Sequence, residues 1–265
     1  MRPKRSLGQH FLVNSSIVDR IVAFAELAAE PVLEVGPGKG ILTRGLITRA
    51  SSVLAVEKDD ELFEKLGETF KGQENLRLIH GDILDMELGD LLVDGMKIIA
   101  NLPYNIASRF IIRLLKDASK LAAVVVMVQR EVAERVCACP GDTAYSALSV
   151  LVSSAFDSHR GFVVHPANFS PRPKVDSQVL KLIPRPCPVA VTELDTFQDV
   201  VFCAFRNRRK MLKNSLVHLP GMKPDVLEYL ARETGVDLKK RPQDIPQEVY
   251  RLFAAMYREQ AASTG

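Results

Sequence analysis

The turn Val32-Leu-Glu-Val-Gly-Pro-Gly-Lys-Gly40 sets three glycines, Gly36, Gly38 and Gly40, two positions apart after four residues that read as a strand. Glycine lets the backbone approach a ligand closely, and ligands of open α/β sheets sit at the carboxyl ends of the strands. The spacing is G-x-G-x-G, not the G-x-G-x-x-G of dinucleotide binding, and Glu34 stands two residues before the first glycine. A carboxylate there repels a diphosphate and favours a cationic or zwitterionic ligand. S-adenosylmethionine fits, since it carries an amino acid moiety and a sulfonium and no phosphate. Glu57, seventeen positions after Gly40, ends a second strand, where it can accept from both ribose hydroxyls. Asp82, in Gly81-Asp-Ile-Leu84, ends a third and can reach an adenine amino group. Any one acid is also readable as a solvated strand-end charge, but three at consecutive strand ends form a more specific constellation.

Asn101-Leu-Pro-Tyr-Asn-Ile106 follows a fourth strand at the same edge. An exocyclic amine such as adenine N6 is a poor nucleophile because its lone pair is delocalised into the ring. The Asn101 amide oxygen and the Leu102 carbonyl can accept both N6 hydrogens and localise that lone pair toward a sulfonium methyl. Pro103 stiffens the turn, and Tyr104 can stack on a base that has left its neighbours. Transfer would then be direct in-line displacement, with no metal and no covalent intermediate. On the tetrapeptide alone, a polar turn with a packed tyrosine is an equal reading.

These segments need a sheet to carry them. Strands are predicted over Val32 to Val35, Val53 to Glu57, Leu76 to His80, Lys97 to Ala100 and Ala122 to Val128, with helices around Ile41 to Arg49, Asp59 to Phe70 and Ala107 to Lys116. Strands apolar on both faces and separated by helices mean a mostly parallel sheet covered on both sides. Gly161 to His165 and Ser177 to Ile183 add two later strands, suited to an antiparallel edge. Prolines alternate through Ile183-Pro-Arg-Pro-Cys-Pro-Val189, which reads as a stiff linker, and helical periodicity follows near Leu194 to Phe205, Lys210 to His218, Pro224 to Thr234 and Pro246 to Gln260. The expected architecture is α/β: a Rossmann-like methyltransferase domain over 1–184 and a small all-α domain over 189–265.

With 47% hydrophobic and 25% charged residues, the 265-residue chain excludes disorder, a collagen-like fibre and a coiled coil. Cys137, Cys139, Cys187 and Cys203 lack both disulfide-framework and zinc-site spacing, and read as small buried hydrophobes in a reducing compartment. The longest apolar run, Leu121 to Val128, is a buried strand and far short of the roughly 20 residues that span a bilayer. The basic start Met1-Arg-Pro-Lys-Arg5 leads into no apolar stretch, so it is not a secretory signal, and a cytoplasmic protein without a membrane partner is expected.

Gly8-Gln-His-Phe11, Glu34-Val-Gly-Pro-Gly-Lys-Gly40, Gly81-Asp82, Asn101-Leu-Pro-Tyr-Asn-Ile106, Gln129-Arg-Glu131 and Phe169-Ser-Pro-Arg-Pro-Lys-Val-Asp-Ser177 together resemble the successive motifs of the KsgA-type ribosomal RNA adenine dimethyltransferases. The resemblance covers nearly the whole chain in the family's order. It implies methyl transfer from S-adenosylmethionine to N6 of two adjacent adenosines in the 3′-terminal stem-loop of small-subunit (16S) rRNA, each dimethylated, by a protein expected to act as a monomer. By motif, Gln9, His10, Leu12, Glu34, Gly36, Gly38, Glu57, Lys58, Asp82, Ile83 and Asn101 belong to the cofactor site, while Leu102, Pro103, Tyr104 and Phe169 hold the target base. Asn101, read from its own residues only as an acceptor contact, then lies between both substrates. His10 suits positioning better than general-base work, because the amine becomes acidic only after it is methylated. Phe169 reads either as core or as a second stacking face.

The net charge of +3 gives no sign of nucleic-acid binding by itself. By segment it does. From Val200 through Pro224 the sequence holds Arg206, Arg208, Arg209, Lys210, Lys213 and Lys223 and no carboxylate. A charge run is usually a solvated helix face, but together with Arg2, Lys4, Arg5, Arg172 and Lys174 a phosphate-binding surface is the stronger reading. Large-subunit rRNA methyltransferases conferring macrolide resistance share the catalytic motifs, and mitochondrial relatives act as transcription factors. The Gly8 to Phe11, Asn101 to Ile106 and Ala204 to Lys213 segments look more like the small-subunit branch, and the retained Asn101 argues against a purely binding protein.

Overall fold

A computed structural model describes residues 9–186 and 191–264. The chain divides into two compact units. The first runs to Ala133 and resumes over Phe156–Arg185; the second takes Glu134–Ala155 and resumes at Pro186. The segment 134–155, counted with the first domain when the chain is cut only at the proline run, therefore packs with the helices. Its apolar positions, among them Tyr145, Leu148 and Leu151, have their burial partners in the second unit.

In the first unit, β1 (Phe11–Leu12) and α1 (Ser15–Phe24) precede an alternation of strands and helices: β2 (Val32–Val35), α2 (Ile41–Ile47), β3 (Val53–Glu57), α3 (Asp60–Thr69), β4 (Leu76–His80), the single turn α4 (Leu88–Leu91), β5 (Met96–Asn101), α5 (Ala107–Arg113), a 3-10 turn over Leu114–Lys120, and β6 (Leu121–Gln129). After α6 (Arg130–Val136) and α7 (Ala147–Ser153) come β7 (Phe156–Val164), β8 (Phe169–Ser170) and β9 (Ser177–Pro184). The seven-stranded sheet has the order β4-β3-β2-β5-β6-β9-β7. The five strands from β4 to β6 are parallel, while β9 and β7 run antiparallel beside them, as expected for the late strands. β9 continues to Pro184, opposite Phe156, so the first proline of the presumed linker ends a strand. Proline is tolerated there because the strand needs no further ladder hydrogen bond beyond it.

The order reverses between β2 and β5, which makes the crevice at their carboxyl ends the place where such a sheet receives ligands. One face of the sheet is covered by α1 and α2, where Ile17, Ile21, Leu42 and Leu46 pack with Val32, Val53, Ile99 and Val125 in a continuous core. The end of α1 is fixed from the sheet: buried Lys97 on β5 donates to the carbonyls of Ala25 at 3.0 Å and Glu26 at 2.8 Å and pairs with Glu30 at 2.8 Å. A cation is favoured at a helix carboxyl end, where carbonyls are left unpaired.

The second unit contains α7, α8 (Leu194–Phe205), the single turn α9 (Lys213–Leu216), α10 (Pro224–Thr234) and α11 (Gln247–Thr264). On α8 the buried set Leu194, Phe197, Val200, Val201 and Ala204 recurs at helical spacing and gives the helix one apolar face. Tyr145, Phe205 and Tyr250 meet with ring centroids 6.1 and 5.9 Å apart, and the two hydroxyls donate to the carbonyls of Ile245 and Pro242. The helix expected from Lys210 is shorter than predicted, and Arg206 to Lys210 form a turn. Among the described residues no helix is long and apolar enough to cross a membrane.

Candidate active site at the sheet crevice

The glycine turn takes its shape from backbone geometry. Gly36, Gly38 and Gly40 all have left-handed φ values, +66°, +60° and +76°, which an L side chain rarely adopts. A Cβ at Gly38 would also meet the Phe11 ring at 3.0 Å, and one at Gly40 would meet the Phe70 ring at 2.6 Å. The turn thus lies directly against its neighbours and presents backbone to the crevice. Gly38 N–H donates to Glu57 Oε2 at 3.0 Å, and Asp59 N–H donates to Glu57 Oε1 at 2.9 Å.

Those bonds orient the Glu57 carboxylate at the end of β3, and Glu57 lines a cleft of about 790 Å³ measured out to its open mouth. Burial pushes the Glu57 carboxyl above the ordinary range, opposed by the N–H groups of Asp59 and Gly38. One strand further, Asp82 accepts from Leu84 N–H at 2.9 Å and pairs with Lys58 at 2.6 Å. Burial pushes Asp82 up, but Lys58 and the Leu84 N–H outweigh it and hold the carboxyl below its usual range. Gln9 Nε2 lies 3.4 Å from Asp59 Oδ2, which ties the amino-terminal segment to the start of α3.

The acceptor turn closes the opposite wall. Asn101 ends β5, and its Nδ2 donates to the His10 carbonyl at 3.2 Å, so its Oδ1 is the group left to accept a hydrogen bond. Leu102 N–H donates to Met127 O at 3.1 Å, and Ile106 N–H to Pro103 O at 3.1 Å, which pins the turn to β6 and closes it on itself. The Tyr104 hydroxyl meets Ser177 Oγ at 2.7 Å, and its ring lies 5.2 Å from the His10 ring at a 34° tilt. His10 Nδ1 is 2.9 Å from the Pro171 carbonyl, which can only accept, so Nδ1 carries the proton and the imidazole braces the wall.

The structure therefore brings Gln9, His10, Gly36, Gly38, Glu57 and Lys58 together with Asp82, Ile83, Asn101, Leu102, Pro103 and Tyr104 around one cleft. Three predicted residues lie elsewhere. Glu34 sits inside β2, not at its end; it is 1% exposed, its Oε2 finds no hydrogen-bond partner, and it faces a smaller cavity shared with Leu12 and Asn101. Burial, opposed by Thr43 and reinforced by Glu57, raises its carboxyl to about 8, so at neutral pH it is mostly protonated. A neutral acid does not supply the repulsion of phosphate that its position in the sequence suggests; of the three acids, Glu57 and Asp82 line the cleft. Leu12 pairs with Phe169 across the β1–β8 ribbon, and both are in the core. The Phe169 ring, 2% exposed, is packed as core and presents no open stacking face.

Several lining residues were not singled out from the sequence: Phe11, Leu62, Asn105 and Ile106. Phe11 and the last two belong to motifs already noted, whereas Leu62 lies in the first turn of α3, where its N–H donates to the capping Asp59 side chain.

The residues read as phosphate contacts differ in their environments. Arg172 and Lys174 are exposed in the loop between β8 and β9, and Arg206, Arg209, Lys210 and Lys213 are exposed in the second unit. Arg208 is half-buried and donates to Thr143 O at 2.8 Å, a bond within its own unit that gives it a packing role. Arg2, Lys4 and Arg5 lie outside the described residues, as do Gly8 and Cys187.

The residues around this cleft fit a methyl-donating nucleoside: a carboxylate oriented by backbone N–H groups, a second carboxylate one strand away, and the glycine turn on the other side of the first. Comparison with known proteins gives a consistent result. The family model for ribosomal RNA adenine dimethylase matches residues 1–258. The chain is similar to the ribosomal RNA small subunit methyltransferase A of Moorella thermoacetica, 41% identical over 94% of this chain and 90% of that protein. It is likewise similar to that of Pelotomaculum thermopropionicum, 42% identical over 90% and 86%. Among solved structures, a dimethyladenosine transferase from Plasmodium falciparum shares the fold with a TM-score of 0.77 at 24% identity, covering 95% of this chain and 98% of that one. The 23S rRNA methyltransferase ErmE aligns with a TM-score of 0.66 at 28% identity over 92% and 98%.

Proposed function

The chain belongs to the ribosomal RNA adenine dimethylase family, and from that premise we propose that it transfers methyl groups from S-adenosylmethionine to N6 of two adjacent adenosines in the 3′-terminal stem-loop of small-subunit (16S) rRNA. Each adenosine is dimethylated, and the reaction serves the assembly of small ribosomal subunits in the cytoplasm. The observation that carries this reading is that the acceptor turn Asn101 to Tyr104 lines the same cleft as Glu57 and Asp82. A target base and a nucleoside cofactor held by these groups meet within one enclosure.

S-adenosylmethionine would supply the electrophilic methyl group, its S–CH3 bond breaking as the bond to N6 forms, with S-adenosylhomocysteine as the neutral leaving group. Glu57 would accept from its ribose hydroxyls, Asp82 from its adenine amino group, and Gly36 and Gly38 would let it lie against the backbone. On the other wall Asn101 Oδ1 and the Leu102 carbonyl accept the target amine's hydrogens and direct its lone pair. The bond from Leu102 N–H to Met127 O fixes that carbonyl, and the bond from Asn101 Nδ2 to His10 O fixes that amide. Preorganised acceptors of this kind lower the barrier because they need no rearrangement when the reaction occurs. Tyr104 stacks on the base, held by Ser177 and His10. The proton lost from the methylated amine passes to water.

The first unit, with Arg172 and Lys174 at its rim, is read as catalytic, and the second, through Arg206, Arg209, Lys210 and Lys213, as the RNA-holding part of a monomer. Incubation with labelled S-adenosylmethionine and small subunits lacking the modification should place label on two adjacent adenosines of the small-subunit rRNA. Label on large-subunit RNA would overturn the substrate, and label on no RNA would overturn the activity.

A further inference from the structure

Arg113 is the last residue of α5, the helix that begins at the end of the acceptor turn. Its guanidinium reaches the segment after β4: Nη1 donates to the carbonyls of Ile83, at 3.2 Å, and of Leu84, while Nη2 donates to Met86 O at 2.6 Å. Within this segment the peptide unit that joins Ile83 to Leu84 faces two ways: its carbonyl, Ile83 O, accepts from Arg113, and its N–H, that of Leu84, holds Asp82 Oδ1 at 2.9 Å. The 3-10 turn that follows α5 adds a second tie, from Lys120 Nζ to Gly89 O at 2.8 Å. Residues 81–86 lie between β4 and α4 outside regular secondary structure, with Gly81 at a φ of +153°, and are otherwise held by Gly81 N–H to Glu57 O at 2.9 Å, Asp85 N–H to Asp82 O at 3.0 Å and the Lys58–Asp82 pair. A planar guanidinium fork suits three carbonyls of one loop, and an ammonium on a flexible stem does not reproduce it.

We propose that Arg113 is a positioning residue for recognition of the cofactor's adenine. Through the Ile83–Leu84 peptide it sets the Asp82 carboxylate and the Ile83 wall, and from the end of α5 it anchors both to the helix that follows the acceptor turn. Arg113 does not line the cleft; it acts through Asp82. The inference rests on the reading of Asp82 as the acceptor for the adenine amino group.

The test compares binding of S-adenosylhomocysteine and S-inosylhomocysteine, whose 6-position carries oxygen in place of the amino group, by calorimetry on the full chain. The ratio of the two affinities is independent of the fraction of folded protein, so a merely destabilised variant leaves it unchanged. Asp82→Asn tests the underlying reading and should collapse the preference for the adenosyl ligand. Arg113→Met should lower the preference by about tenfold, the size of one charge-assisted hydrogen bond, and Arg113→Lys should restore part of it. In turnover, the KM for S-adenosylmethionine should rise while kcat stays within about twofold. If Asp82→Asn collapses the preference and both Arg113 variants keep it, the role of Arg113 is refuted. If Asp82→Asn itself keeps the preference, the reading of Asp82 fails instead, and the Arg113 inference falls with it.

Discussion

Replacing Glu34 with glutamine should stabilise the fold as pH rises, although Glu34 belongs to the glycine-turn motif. In the unfolded chain this carboxyl releases its proton near 4.5, and in the folded protein burial raises that value to about 8. Between those values the folded state binds the extra proton, so this group makes stability fall as pH rises. Each unit is worth about 1.4 kcal/mol, so the cost of keeping Glu34 protonated is about 3 kcal/mol at pH 7 and on the order of 5 kcal/mol above pH 8. Glutamine occupies nearly the same volume and never ionises. Its buried amide carries its own cost of about 1–3 kcal/mol, but that cost does not change with pH. The quantity to measure is therefore the pH dependence of the difference between the two proteins, in which the other titrating groups cancel. Urea unfolding at pH 5, 7 and 9 without cofactor should show the glutamine variant gaining about 3–5 kcal/mol relative to the parent between the lowest and highest pH. A difference flat to within about 0.5 kcal/mol would refute the placement of a fully desolvated Glu34 carboxyl inside β2.

Three further outcomes follow from the same geometry. Asn101→Ala should lower methyl transfer by about 100-fold or more, as expected when a reacting group loses its orienting acceptor, while filter binding of rRNA is retained. Gly38→Ala forces a side chain into a φ of +60° and against the Phe11 ring, so chemical denaturation should show a loss of about 2–3 kcal/mol, with weaker cofactor binding because the N–H to Glu57 moves. Charge reversal at Arg206, Arg209, Lys210 and Lys213 should weaken RNA binding and flatten its salt dependence by about 0.7–0.9 per lost phosphate contact, leaving cofactor affinity intact. Arg208 is left out of that set because its bond to Thr143 makes its loss a packing defect. Unchanged binding across a salt titration would remove the second unit from the RNA surface.

The sheet was readable because its strands are short β-branched runs closed by turn residues. β2, β3 and β4 have the bounds expected of them, and the later pair does form an antiparallel edge. The cleft was readable for a related reason: Gly36, Glu57, Asp82 and Asn101 each follow or end a strand, and parallel strands bring those ends to one edge whatever fills the rest of the core. Some helices were missed despite local signals: Asn14 caps α1, whose Ile17, Val18, Ile21 and Val22 recur at helical spacing, and Ser146 and Ser149 form a capping box at α7. The excursion of 134–155 into the helical unit leaves no mark in composition.

The sequence by itself determined the parallel sheet, the glycine turn with its required φ values, and the order in which acids and acceptor turn meet along the sheet edge, because these depend on backbone freedom and on which faces of local segments are apolar. Tertiary structure alone decided the rest. Glu34 is neutral because the core surrounds it, and Phe169 is core because Leu12, 157 positions earlier, pairs with it. Asp82 accepts from the N–H of the Ile83–Leu84 peptide, whose carbonyl is held by an arginine about thirty positions further on. Desolvation and long-range hydrogen bonds depend on what the folded chain brings alongside a residue, and neighbours in sequence carry no record of that.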